Sequence, residues 1–184
     1  ELGAARRPLR VGVFRALQLG DLLCAVPALR GLRGALPGAH ITLIGLPWAQ
    51  AFAARYRRYV DHFVRFPGYP GLPEQPPDLD GYASFLATHR AAPFDLAIQL
   101  HGDGRVTNAI LADLGARKVA GFCAADAVPR GTFLPFPTAG SEVRRLLALA
   151  AFLGAPADDA ALEFPLTADD ESELADFVFE RRLP

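Results

Sequence analysis

The sequence predicts an α/β fold, a Rossmann-like parallel sheet with helices on both faces. Three observations carry that expectation. Apolar, β-branched runs at 11–14, 40–46, 60–66, 96–100 and 118–122 alternate with stretches whose apolar residues recur at helical spacing. The runs VGVF and LAIQL are short and almost wholly apolar, as strands covered on both faces are. Finally, 184 residues that are 51% hydrophobic, with a mean hydropathy of +0.18, suffice for one substantial core.

In chain order, residues 1–8 (ELGAARRP) are small, polar and aperiodic and read as a flexible tail, leaving one domain over 9–184. The first strand, 11–14, is flanked by basic residues and runs through a brief loop to Gly20-Asp21. Leu22, Leu23, Val26, Leu29 and Leu32 then recur at helical spacing, so Asp21, beside a glycine and ahead of the periodic run, is expected to cap this helix. That places its carboxylate at the carboxyl edge of the first strand, where open α/β sheets bind ligands. Capping alone and participation in chemistry both fit that position. Pro27 removes a backbone donor within the helical run and predicts an irregular start or a kink.

Pro37-Gly38 turns the chain into the second strand, 40–46, and Pro47 opens a second helix over 47–59. Arg55, Arg57 and Arg58, with Tyr56 and Tyr59, form either a grip for an anionic acceptor or a solvated helix end. After the third strand, 60–66, the stretch 67–80 (PGYPGLPEQPPDLD) is too rich in proline and glycine for regular structure. A loop of that length inside a domain is a lid, a binding loop or a tolerated insertion. A helix over 81–92 leads to the strand 96–100.

That strand ends in a second polar turn, His101-Gly102-Asp103-Gly104-Arg105, followed by a helix that Gly115 closes. A dinucleotide fingerprint would need a glycine at 107, where Thr107 stands, so nicotinamide and flavin cofactors are disfavoured. His101, Asp103 and Arg105 are candidate contacts to an anionic acceptor, or simply a solvated turn at the sheet edge. A short strand at 118–122 precedes an irregular stretch, 123–137. Ser141 caps a helix over 141–153 with Glu142 in its first turn and Gly154 as its stop, and 168–183 forms a last helix, acidic at its start and basic at its end.

Composition narrows the function. A net charge of -1 supplies no general attraction for nucleic acid, which is an unexpected partner. No stretch approaches the roughly 20 apolar residues of a membrane span, and no apolar signal core precedes the first strand, so a cytoplasmic location is expected. Cys24 and Cys123 match no metal or redox spacing and read as reduced. No His/Cys ligand cluster suggests a bound metal. A chain that begins at Glu1 and contains no methionine reads as an excised piece.

The run RALQLGDLLCAVPALRGLRGALPGAHITLIG resembles the opening of the family 9 glycosyltransferases, the lipopolysaccharide heptosyltransferase type. The shared features are Gly20-Asp21, Pro27-Ala28-Leu29 and Pro37. They extend more loosely to the strand before His101, the Gly121-Phe122 step, and Glu142, Arg145, Leu153 and Gly154, although Ser141 stands where the family often has histidine. The resemblance implies the N-terminal, acceptor-side half of a GT-B enzyme whose nucleotide-sugar domain lies outside this chain. It implies inverting, metal-independent transfer of a heptose or related sugar from an ADP-sugar to a lipopolysaccharide core or similar glycan. Asp21 is then the general base, and Gly20, His101, Asp103 and Arg105 contact the acceptor. No cofactor is implied; the donor is ADP-heptose or another nucleotide sugar, the acceptor a glycan or lipid-linked glycan, and peripheral contact with the inner membrane follows. An isolated half of this kind is expected to be inactive. Two other readings fit the same residues: a non-catalytic glycan- or nucleotide-binding module, and half of a GT-B-like sugar-nucleotide epimerase. Glu142 and Arg145 are also spaced as an ordinary surface helix pair.

Overall fold

The computed structural model describes residues 7–128 and 131–181. In chain order its elements are β1 (Arg10–Phe14), α1 (Leu19–Ala35), β2 (His40–Gly45), α2 (Ala49–Arg55), β3 (His62–Arg65), α3 (Leu79–Ala91), β4 (Leu96–Gln99), α4 (Thr107–Asp113), β5 (Val119–Cys123), β6 (Phe133–Pro135), α5 (Glu142–Phe152) and α6 (Ala168–Arg181). The six strands form one sheet in the order β3-β2-β1-β4-β5-β6, and every described pairing is parallel. This is the expected Rossmann-like sheet.

Alternation along the strands divides the core between its two faces. Val11, Val13, Ile41, Leu43, Ile98 and Phe122 pack with α1, α2 and α5, whereas Phe14, Ile44 and Ala97 pack with Phe85 of α3 and Ile110 and Leu111 of α4. Period-two geometry explains this, since neighbouring residues of a strand point to opposite faces. Both sets are apolar because helices cover both faces.

Several boundaries differ from the sequence reading. Helix α1 begins at Leu19, and its cap is Gln18, whose carbonyl accepts from Leu22 N at 3.1 Å; Asp21 is therefore not the cap but the third helical residue. A carboxylate in the first turn still suits the positive end of the helix dipole. Pro27 lies inside the continuous helix, which gives up one intrahelical hydrogen bond there. Helix α2 ends at Arg55, and residues 56–59 form a turn.

Strand β6 was not expected, because residues 123–137 read as irregular. Phe133, Leu134 and Pro135 pair with Gly121, Phe122 and Cys123. A proline is tolerated at the sheet's edge, where the outer row of hydrogen-bonding groups needs no partner strand. Of the expected tail, residues 1–6 lie outside the described residues, while Arg7 forks onto Asp95 with bonds of 2.6 and 2.7 Å. Residues 182 and 183 of the last expected helix also lie outside them.

The proline-rich loop folds back on itself. Asp78 N donates to Pro67 O at 3.2 Å, and Gln75 Nε2 donates to Phe66 O at 3.3 Å, while Tyr69 and Leu72 pack against the Phe14 side of the core. Closed ends and inward side chains make a compact loop rather than a loose insertion. At its end Asp78 caps α3 by accepting from Gly81 N at 2.9 Å. Helix α6 buries none of its residues and is tied back by Asp170, which accepts from Arg55 at 2.5 and 2.9 Å.

Candidate active site

Strand order locates the site. From β1 the chain steps outward to β2 and β3, then returns across the sheet to place β4 on the other side of β1. The loops after β1 and β4 therefore part in opposite directions and leave a crevice at the carboxyl ends of these strands, where doubly wound sheets bind ligands. Of the two polar stretches singled out in the sequence, Gly20-Asp21 lies in the first turn of α1, just past the loop after β1, and 101–105 is the turn after β4.

Asp21 is half-buried in the first turn of α1. Gly20 is exposed, and a Cβ added there would meet nothing within 4 Å, so internal packing gives no reason for glycine. Amides in the first turn of a helix lack intrahelical acceptors and face outward. Beside Asp21 the edge is bare backbone with donors to offer.

Arg15 follows β1 directly, and its side chain is fully buried. Its Nε donates to the backbone carbonyl of Asp21 at 2.9 Å, Nη1 donates to the carbonyl of Leu100, and Nη2 donates to Glu142 Oε1 at 3.0 Å. Burial pulls the guanidinium below its ordinary value, while Glu142, Asp21 and Cys24 oppose that shift. An arginine stays charged even so. Glu142 also faces Arg145 Nη1 at 3.5 Å, and Arg145 Nε donates to Pro137 O at 3.0 Å. The Glu142 and Arg145 pair thus extends inward to a buried third member.

The second turn is built on a buried network. Gln99 Nε2 donates to Thr107 Oγ1 at 2.6 Å and to His101 O at 2.9 Å, and Thr107 Oγ1 donates to His101 O at 3.0 Å. Gly104 has φ +83, and a Cβ there would stand 2.4 Å from Phe122 O, so this turn requires glycine. His101 is 6% exposed and lies against Phe14. Burial, with Arg15 as the second cause, pushes its imidazole down to about 4, and Asp21 acts in the opposite sense. His101 is therefore neutral at pH 7. Its Nε2 stands 3.7 Å from Glu74 Oε1 of the proline-rich loop, and among the described residues neither His101 Nδ1 nor Glu74 Oε2 has a hydrogen-bond partner.

Asp103 and Arg105 are placed differently. Arg105 donates to Asp103 Oδ2 at 2.9 Å and to Asp126 Oδ1 at 2.8 Å on the exposed rim. Within the crevice the structure brings together Asp21, His101 and Arg15; Asp103 and Arg105 stand at its margin. Of the arginines at and after the end of α2, Arg55 is engaged by Asp170 and Arg58 by Glu163. A hollow of about 490 Å³ near them, lined by Ala53, Arg57, Asp61 and His62, shares no residue with the Asp21 crevice.

Sequence reasoning passed over Arg15, Gln99 and Glu74. A signal existed for the first two: a charged residue at the end of one fully apolar strand, and a polar one inside another. Glu74 gave none, because nothing local shows that a loop residue will reach a buried imidazole.

A carboxylate beside a fixed positive charge, a dry neutral imidazole and free backbone donors can accept a proton from a bound hydroxyl. Among the described residues, no helix is long and apolar enough to cross a membrane.

Compared by sequence, the chain matches no protein-family model and no curated protein. Compared by fold, it matches solved glycosyltransferases. A glycosyl transferase family 9 structure from Veillonella parvula DSM 2008 aligns with a TM-score of 0.72 at 18% identity, over 96% of this chain and 50% of that one. E. coli heptosyltransferase WaaC with ADP aligns at 0.61 and 17% identity, over 84% of this chain and 50% of that one. E. coli ADP-heptose lps heptosyltransferase II aligns at 0.61 and 14% identity, over 92% and 50%. The chain thus spans about half the length of the solved structures it matches. What it shares with them is the fold of one half of a GT-B, family 9 glycosyltransferase.

Proposed function

We propose that this chain is the acceptor-binding half of an inverting glycosyltransferase that moves a heptose, or a related sugar, from an ADP-sugar to a lipopolysaccharide core or similar glycan. The observation that carries this reading is the position of Asp21: a carboxylate at the switch-point crevice, in the first turn of α1, within electrostatic reach of Arg15 and His101. The likeness to family 9 structures, one of them solved with ADP, supports the choice of donor.

In this reading the acceptor lies across the ends of β1 and β4, against Gly20 and the wall formed by His101, with Asp103 and Arg105 at the rim for its anionic groups. Asp21 takes the proton of the acceptor hydroxyl as that oxygen forms its bond to the anomeric carbon. The bond from that carbon to the diphosphate breaks, the electron pair leaves with the nucleotide, and configuration inverts. Stabilising the departing diphosphate falls to a second, nucleotide-sugar-binding half. The proline-rich loop holding Glu74 covers the crevice beside His101 and excludes water. A lipid-linked acceptor would bring the protein to the cytoplasmic surface of the inner membrane.

The test is transfer from ADP-heptose to a lipopolysaccharide core acceptor, with the nucleotide-sugar-binding half present. Asp21→Asn is expected to lower kcat by about 10²- to 10⁴-fold, the usual contribution of a general base, with the melting temperature and acceptor binding retained. Undiminished transfer by that variant removes Asp21 from the chemistry.

A further inference from the structure

Among the described residues, Arg15 is the only arginine, lysine or carboxylate side chain in the core. Burying a charge costs several kcal/mol unless paired, and an apolar side chain of similar volume commonly holds a fold equally well. Stability alone therefore does not account for a guanidinium here. Its three acceptors belong to three separate elements: the Asp21 carbonyl in the first turn of α1, the Leu100 carbonyl after β4, and Glu142 in the first turn of α5. Those elements meet at the crevice, and the planar fork of an arginine fixes direction as well as distance.

We propose that Arg15 is the positioning residue of this site: clamped by Glu142, it fixes the α1 turn that carries Asp21 against the turn that carries His101, and sets a permanent positive charge between them. It touches no substrate and acts through those two residues. The charge has a visible consequence in His101, whose imidazole it helps to keep neutral. This inference rests on the reading of Asp21 as the base.

Two variants test it. Arg15→Lys keeps the charge but loses the fork, and Arg15→Gln with Glu142→Gln removes both charges together so that neither is left buried alone. In this chain, the His101 imidazole followed by NMR is expected to titrate near its wild-type position in Arg15→Lys and about one unit or more higher in the double variant. In the transfer assay, both are expected to lose about 10²-fold in kcat with the acceptor KM unchanged, the scale of a misplaced catalytic group. An unmoved His101 titration in the double variant, or wild-type kcat in either, overturns the proposal. Asp21→Asn measured alongside separates the two readings. If it transfers normally, the assignment of Asp21 fails; if it is inactive while both Arg15 variants transfer normally, only the role of Arg15 fails.

Discussion

The imidazole of His101 lies nearly parallel to the ring of Phe14, with centroids 5.5 Å apart and planes inclined by 17°. One residue ends β1 and the other begins the turn after β4, so the stack closes the floor of the crevice. It also keeps the imidazole dry, which is the chief reason His101 falls to about 4 from 6.5. The sign of the linkage follows. Above pH 6.5 both folded and unfolded chains hold the imidazole neutral and stability is full; below it the unfolded chain takes up the proton first. About 3 kcal/mol is therefore lost as pH falls from 6.5 to about 4. His89, depressed by burial, adds a loss in the same direction. Urea midpoints measured across this range are expected to fall, and to fall less in His101→Phe, which keeps the stack but cannot titrate. Equal slopes for the two proteins would contradict this account. Asp95, held down to about 2 chiefly by its bond with Arg7, acts in a separate window, losing its contribution as pH drops from 3.8 toward 2.

Gly20→Ala separates folding from binding. The added methyl meets only open space, and alanine is favoured over glycine in a helix, so stability should rise by up to about 1 kcal/mol. Acceptor affinity, measured by titration calorimetry, should fall if the acceptor rests on that backbone. Unchanged affinity would place the acceptor elsewhere.

Thr107→Val tests the turn beneath the site. It removes the hydroxyl that accepts from Gln99 Nε2 at 2.6 Å and donates to His101 O at 3.0 Å, in a buried setting. Gln99 Nε2 and His101 O still bond each other, so the loss is that of ordinary buried hydrogen bonds, about 0.5–1.5 kcal/mol each, and chemical denaturation should register it. A neutral result would mean that the network contributes nothing to holding this turn.

Arg105→Ala should leave stability within about 0.5 kcal/mol, since its pairs with Asp103 and Asp126 are exposed. Binding of an anionic core acceptor should weaken, with the deficit shrinking as salt is raised, because exposed charges are screened. A deficit that does not change with salt would rule out a charge contact at the rim.

The fold class and one half of the site were written locally. The apolar runs around Val13 and Ile98, the Gly20-Asp21 step, the glycine-bearing turn after β4 and the Ser141 cap, which accepts from Arg144 N at 3.4 Å, are patterns of near neighbours, and near neighbours determine whether a segment is strand, turn or helix. Tertiary structure decided the rest. Phe133 to Pro135 becomes a strand only because β5 presents an edge for it to pair with. Helix α1 starts two residues before Asp21 because the carbonyl of Gln18 takes the amide of Leu22, a small register choice that residue preference does not fix. Arg15 and Glu142 lie 127 positions apart, and Glu74 reaches His101 only through the fold of its loop. Sequence alone determined an α/β chain with a carboxylate at the end of its first strand. Only packing decided that a buried guanidinium and a dry imidazole would stand beside that carboxylate, because a charge's surroundings are set by residues that only the crossovers bring together.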